Sequence, residues 1–142
     1  MHSLIRTIVL PADPDTVWRT IGRFDALAEW HPQVPPSVLE DDADPETPGA
    51  VRAFTLDGTV VARERLLAKD DTTRSYRYTV LDPFLPVTDY QATLTAAHHE
   101  QGTEVRWTAT YAGAAEAVPQ VEEIFGDGVY GVGLRALGER FS

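Results

Sequence analysis

Cysteine is absent from the 142-residue chain. That absence removes disulfides, thiolate nucleophiles and cysteine-ligated zinc or iron-sulfur centres together, so the fold must hold by packing alone. Positive charge is also scarce: twelve Lys and Arg face twenty-two Asp and Glu, a formal net charge of -10. A surface of that sign repels phosphate backbones and anionic bilayers, and nucleic acid is not an expected partner. No window approaches the roughly 18 uninterrupted apolar residues that a membrane span needs. The opening "MHSLIRTIVLPAD" lacks the basic segment, long hydrophobic run and small-residue cleavage site of a secretory signal. The expectation that remains is one cytoplasmic domain over residues 1–142, monomeric or homodimeric, with 43% apolar residues to build a single core.

Along the chain, residues 3 to 10 alternate and stop at Pro11, which predicts a strand closed by a residue that cannot continue the ladder. "DPDTVWRTIG" offers Asp13 as N-cap, Pro14 at the first helical position and Gly22 as a stop, a short helix. "FDALAEW" repeats the pattern with Asp25 as cap, and the helix ends before Pro32 because that proline drives His31 out of the helical region. The acidic stretch "EDDADPETPG" reads as a solvated hairpin loop. Strand character recurs near 51 to 56, 60 to 69, 75 to 81, 88 to 97 and 103 to 111, an antiparallel meander. From 115 to 141 the period changes: Val118, Val121, Phe125, Val129, Val132 and Ala136 form one helical stripe, with a second at Tyr130, Leu134, Leu137 and Phe141. The pattern predicts an α+β architecture in which one long helix lies on the sheet.

The stretch "RERLLAKDD" decides where the chemistry lies. Alternate strand residues share a face, so Val60, Ala62, Glu64, Leu66 and Ala68 go together, opposite Val61, Arg63, Arg65, Leu67 and Lys69. Glu64 therefore points inward on the apolar face, away from its arginine neighbours. By the same parity Tyr76, Tyr78, Tyr90, Ala92, Leu94, Val105, Trp107 and Ala109 face inward with it. The helix adds Gly126, Gly128, Gly131, Gly133 and Gly138. Each costs about 1 kcal/mol relative to alanine mid-helix. Two explanations stand open: glycines that seat the helix close on the sheet, or glycines that widen a cavity for a ligand. The inward carboxylate and phenols favour the cavity, since apolar pockets with a few polar groups are how small molecules are bound.

This arrangement resembles the helix-grip, START-like (SRPBCC) superfamily, which includes bacterial polyketide cyclase/dehydratase-like proteins and plant abscisic-acid receptors. "ADPDTVWRTIGRFDALAEWHP" is similar to the bacterial cyclase-like opening, with "WHP" leading into the second strand, and "ERLLAKDDTTRSYRYTVLDPFLPVTDYQATL" is similar to the corresponding run of the receptors. The resemblance covers nearly the whole chain. It implies a curved sheet of about seven strands around the C-terminal helix, two short helices after strand 1, and an internal cavity. It further implies that Ala62, Glu64, Tyr78, Tyr90, Ala92, Phe125, Val129 and Gly133 line that cavity, with Leu85, Pro86 and Val87 in a loop that closes over it and Leu56 to Thr59 in a shortened gate. The receptors' cavity lysine aligns near Pro35, which argues against an anionic ligand.

A carboxylic acid alone in an apolar cavity has its charged form disfavoured, so Glu64 is expected to titrate nearer neutrality, with Tyr78 and Tyr90 as donors to a carbonyl or enolate oxygen. That set suits cofactor-free aldol cyclisation or dehydration. It suits equally a carrier or sensor in which Glu64 holds water or a ligand hydroxyl. Trp30, His31, Tyr76, Val87 and Trp107 complete the expected ligand-binding set. His98 and His99 sit in a turn with no third ligand spaced for zinc, so no metal is expected. "GDGVYG" matches a dinucleotide-binding pattern in letters only, because it lies inside the terminal helical pattern and follows no strand. The expected partner is a neutral hydrophobic small molecule, cyclic or polyketide-like, or in the carrier or sensor reading a lipid, steroid-like or aromatic ligand, with no cofactor.

Overall fold

A computed structural model describes residues 1–142. Seven strands form one antiparallel sheet: β1 (His2–Leu10), β2 (Ser37–Leu39), β3 (Val51–Leu56), β4 (Thr59–Asp70), β5 (Ser75–Leu81), β6 (Val87–His99) and β7 (Gly102–Gly113). Their spatial order is β1-β7-β6-β5-β4-β3-β2, so the chain leaves one edge after β1, crosses to the other, and returns by hairpins. The crossing contains the two short helices. Helix α1 (Pro14–Ile21) starts where Oδ1 of Asp13 accepts the Thr16 amide at 3.0 Å, with Pro14 where no amide donor is needed. The second is a single 3₁₀ turn, Leu27–Glu29, whose N-cap is Ala26. Asp25, expected to cap it, instead grips Arg23 through Oδ1 at 2.6 Å. The turn still buries Leu27 and Trp30 and ends before Pro32.

The acidic loop is less free than a solvated hairpin. Glu40 accepts two hydrogen bonds from Arg63, at 2.6 and 2.7 Å, and Glu46 pairs with Lys69, so the loop is tied to β4 at both ends. Lys69 marks a departure from strict alternation. A register shift between Leu66 and Ala68 leaves Leu67 as the extra residue of a bulge. Beyond it the faces exchange: Ala68 is exposed, while the Lys69 side chain is only 4% exposed and lies over the Trp18 ring.

The C-terminal helix runs from a 3₁₀ turn (Ala115–Ala117) through α2 (Val118–Val121), a π-helical stretch (Glu122–Gly131) and α3 (Val132–Arg140). The π-helical turn holds more residues than 3.6, and this rotates the buried stripe. Val121 and Phe125 lead not to Val129 and Val132, as an uninterrupted α-helix would have it, but to Tyr130, Leu134 and Leu137. The two sequence stripes are thus one buried face, displaced by one residue at the π segment.

Candidate functional site

Between the sheet and this helix lies a cavity of about 150 Å³. Glu64 from β4, Tyr78 from β5, Tyr90 from β6, Trp107 from β7 and Phe125, Val129 and Tyr130 from the helix line it, together with Phe54, Ala62 and Phe84. Thirteen of its fifteen lining residues are hydrophobic, and Glu64 is the acidic one. Phe84, on the β5–β6 loop and 71% exposed, sits at the mouth with its ring 5.9 Å from that of Phe125.

Glu64 does point inward, but it is not alone. Arg52 on β3 lies directly opposite it in the ladder, and its side chain is fully buried. Nε and Nη2 of Arg52 both donate to Oε1 of Glu64, at 2.9 and 2.7 Å. Nη1 donates to the Phe24 carbonyl at 2.8 Å and to Oη of Tyr76 at 3.4 Å. The guanidinium carbon is 4.2 Å from the Phe24 ring centroid and 4.7 Å from that of Tyr78, so the cation is enclosed by π-faces and oxygen acceptors. A lone carboxylate in an apolar pocket is therefore the wrong description: the Glu64 carboxylate is held by a buried guanidinium. Oε1 is committed to Arg52. Oε2 receives no hydrogen bond from the protein, and Glu64 borders the cavity.

The phenols are donors. Burial holds the hydroxyls of Tyr78, Tyr90 and Tyr130 above the ordinary tyrosine range, so all three stay protonated at neutral pH. Tyr78 accepts the Trp107 indole N–H at 3.0 Å, which leaves its own hydrogen uncommitted to any protein group. Tyr90 and Tyr130 share one hydrogen bond at 2.5 Å, so one of their two hydrogens is also uncommitted.

Of the residues expected at the site, Glu64, Tyr78, Tyr90, Ala62, Trp107, Phe125 and Val129 border the cavity. The other six are packed elsewhere. Tyr76 lies beside Arg52, Trp30 packs 5.7 Å from Trp107, and Val87 is buried near Gly113. Ala92 is buried between Tyr78 and Ala109 in the ladder. His31, 1% exposed, donates from Nε2 to the Val129 carbonyl at 2.7 Å and accepts the Gln33 amide on Nδ1 at 3.1 Å. Burial lowers its pKa, and the hydrogen-bond pattern is that of a neutral imidazole pinning the turn to the helix. A Cβ on Gly133 would meet that imidazole at 2.6 Å, so this glycine serves close packing. Gly126 and Gly138 do the same against Arg6 and Ile8, at 2.6 and 2.9 Å. None of the helix glycines borders the cavity, which overturns the reading of them as cavity-makers. Sequence reasoning missed Phe54, Phe84 and above all Arg52. A single charge inside the otherwise apolar run "AVRAF" was the available signal.

A curved seven-stranded antiparallel sheet with two short helices after its first strand, wrapped on a long C-terminal helix, defines a helix-grip protein of the SRPBCC superfamily. The family model described as polyketide cyclase/dehydrase and lipid transport matches residues 1–141, and the chain belongs to that family. A solution NMR structure of a Thermobifida fusca protein is 37% identical, with TM-score 0.92 over 99% of this chain and 93% of that one. The XoxI protein of Bacillus cereus is 27% identical, with TM-score 0.82 over 99% of this chain and 96% of its own. Norcoclaurine synthase from Thalictrum flavum, solved with dopamine and hydroxybenzaldehyde, has TM-score 0.73 over 98% of this chain and 85% of its own. At 18% identity it shows the fold alone. A sequence comparison with curated proteins finds no match. No helix is long and apolar enough to cross a membrane, and no three metal-ligating side chains cluster.

Proposed function

We propose that the chain binds an uncharged, hydrophobic, cyclic small molecule in the cavity between sheet and helix, with Glu64, Tyr78 and Tyr90 as its polar contacts. The observation that carries this reading is an apolar cavity of about 150 Å³ whose one acidic group keeps an oxygen free of protein partners. The family's description, cyclase/dehydrase and lipid transport, is compatible with both carriage and conversion. A folded multi-ring polyketide exceeds the volume available with the β5–β6 loop in this position.

Toluene, a neutral ring without polar groups, tests the reading. Saturating toluene is expected to raise the unfolding temperature and to shift the amide resonances of Phe125 and Val129. Val129→Phe, which fills the space, is expected to remove both effects. Absence of any response in the wild type to toluene and equally to phenol, the same ring with a hydroxyl, would overturn the proposal.

A second reading, cofactor-free cyclisation or dehydration, is favoured by Glu64 lining the same cavity as the protonated phenols of Tyr78 and Tyr90. With Arg52 holding Oε1, Glu64 would act as a base and the phenols as donors to a developing enolate. If it is catalytic, Glu64→Gln abolishes turnover while ligand affinity stays within about tenfold, roughly 1.4 kcal/mol.

A further inference from the structure

We propose that the cavity selects neutral single-ring phenols, bound with the hydroxyl donating to Oε2 of Glu64. This rests on the binding function above and adds the chemical class of the ligand.

Size sets the first limit. An apolar cavity of roughly 150 Å³ accommodates one benzene-sized molecule. The volume here is about the same, so one substituted ring fits and fused polycycles do not. The walls select flatness: Phe54, Tyr78, Phe84, Tyr90, Trp107 and Phe125 present ring faces and edges, which favour another aromatic ring over an aliphatic chain of equal area.

Charge sets the second limit. Arg52 is the cation next to Glu64, and it is fully buried behind it with Nε, Nη1 and Nη2 all donating to protein oxygens. A ligand carboxylate would meet the Glu64 carboxylate with no free cation to offset it. A ligand donor meets Oε2, an acceptor with no protein partner.

The third limit is the pairing of donor with acceptor. Tyr78 and the Tyr90–Tyr130 pair each leave one O–H hydrogen uncommitted at the same cavity, so the site supplies one anionic acceptor and phenolic donors. A hydroxyl that donates to Glu64 and accepts from a tyrosine satisfies both. An ether accepts only, and a hydrocarbon does neither. Phenol itself, with a pKa near 10 like that of a tyrosine side chain, stays neutral at pH 7 and donates to the carboxylate without transferring its proton.

The test is a chemical-shift titration of the whole chain at pH 7 with phenol, anisole, toluene and benzoate. Phenol is expected to bind at least about tenfold tighter than anisole, which keeps the ring and the oxygen but lacks the donor, because a hydrogen bond to a charged group is worth at least one tenfold step. Benzoate is expected not to bind. In Glu64→Gln the amide oxygen turns to Arg52 and the NH₂ faces the cavity, so the phenol-to-anisole ratio is expected to fall below about threefold, the preference being carried by that one acceptor. Equal binding of phenol, anisole and toluene would overturn the phenol inference and leave the binding function standing. So would a phenol preference that survives unchanged in Glu64→Gln, or benzoate binding better than phenol. Failure of every probe to bind would overturn both. If Glu64→Gln does not fold, the wild-type phenol-to-anisole ratio decides alone.

Discussion

The two sides of the C-terminal helix meet the sheet differently. Towards β1, Gly126 and Gly138 let the helix backbone come down on Arg6, Leu4 and Ile8, and Gly133 seats it against His31 and Trp107. Towards β3 to β6, Phe125, Val129 and Tyr130 face a cavity, and across it stands the Glu64 carboxylate with Arg52 behind it. One helix is thus in close contact along one side and stands off along the other. The glycines close the first side rather than open the second. Small residues bring elements together, and it is the large aromatics that bridge across the cavity and leave space between them.

The largest test of this asymmetry is the ion pair. Glu64→Leu leaves the fully buried Arg52 without its carboxylate and is expected to cost about 3–5 kcal/mol in urea-monitored unfolding. Arg52→Met combined with Glu64→Leu should recover most of that loss, since it removes both charges together. A neutral single substitution would mean that the cavity side does not depend on the pair.

Next in size is Gly133→Ala. The added Cβ meets the His31 ring at 2.6 Å. Despite a propensity gain of about 1 kcal/mol, a net loss of about 1–3 kcal/mol is expected from overpacking. Val129→Phe, on the cavity side, should by contrast change stability by less than about 1 kcal/mol because space awaits the larger ring. Equal costs for the two would erase the distinction between the sides.

The smallest effect is a dependence on pH. Burial lowers the His31 pKa from 6.5, so the unfolded chain binds this proton more readily than the folded one. Stability from this source is complete above about pH 6.5 and is lost as pH falls through that value towards the lowered folded one. His31→Gln, whose amide can still donate to the Val129 carbonyl, should flatten the stability profile between pH 5 and 7 relative to wild type.

Much of the fold is legible in the letters because its signals are local. Asp13-Pro14 opens α1 through a cap and a missing donor, and alternation assigns Tyr78, Tyr90, Trp107 and Glu64 to the inner face. Where the reading failed, a local irregularity had changed the count. The bulge at Leu67 exchanged Ala68 and Lys69, and the π-helical stretch moved the buried stripe from Val129 to Tyr130. His31 and Gly133 came together from opposite ends of the chain, and no periodicity could foresee that contact.

The ion pair draws the boundary most sharply. Composition and alternation alone determined a cysteine-free α+β chain with a carboxylate on its inner face. They also determined the β3–β4 hairpin, whose Asp57-Gly58 turn has both residues at positive φ, 53° and 79°. Counted outward from Leu56 opposite Thr59, that hairpin would set Arg52 against Arg63. A register shift between Phe54 and Thr55 moves the strand by one residue and sets Arg52 against Glu64 instead. Alternation has a period of two, so a shift of one residue turns a like-charge clash into a buried ion pair. Only the packed sheet could decide that, because a bulge between Phe54 and Thr55 changes the partner of Arg52 without changing the turn that starts the hairpin.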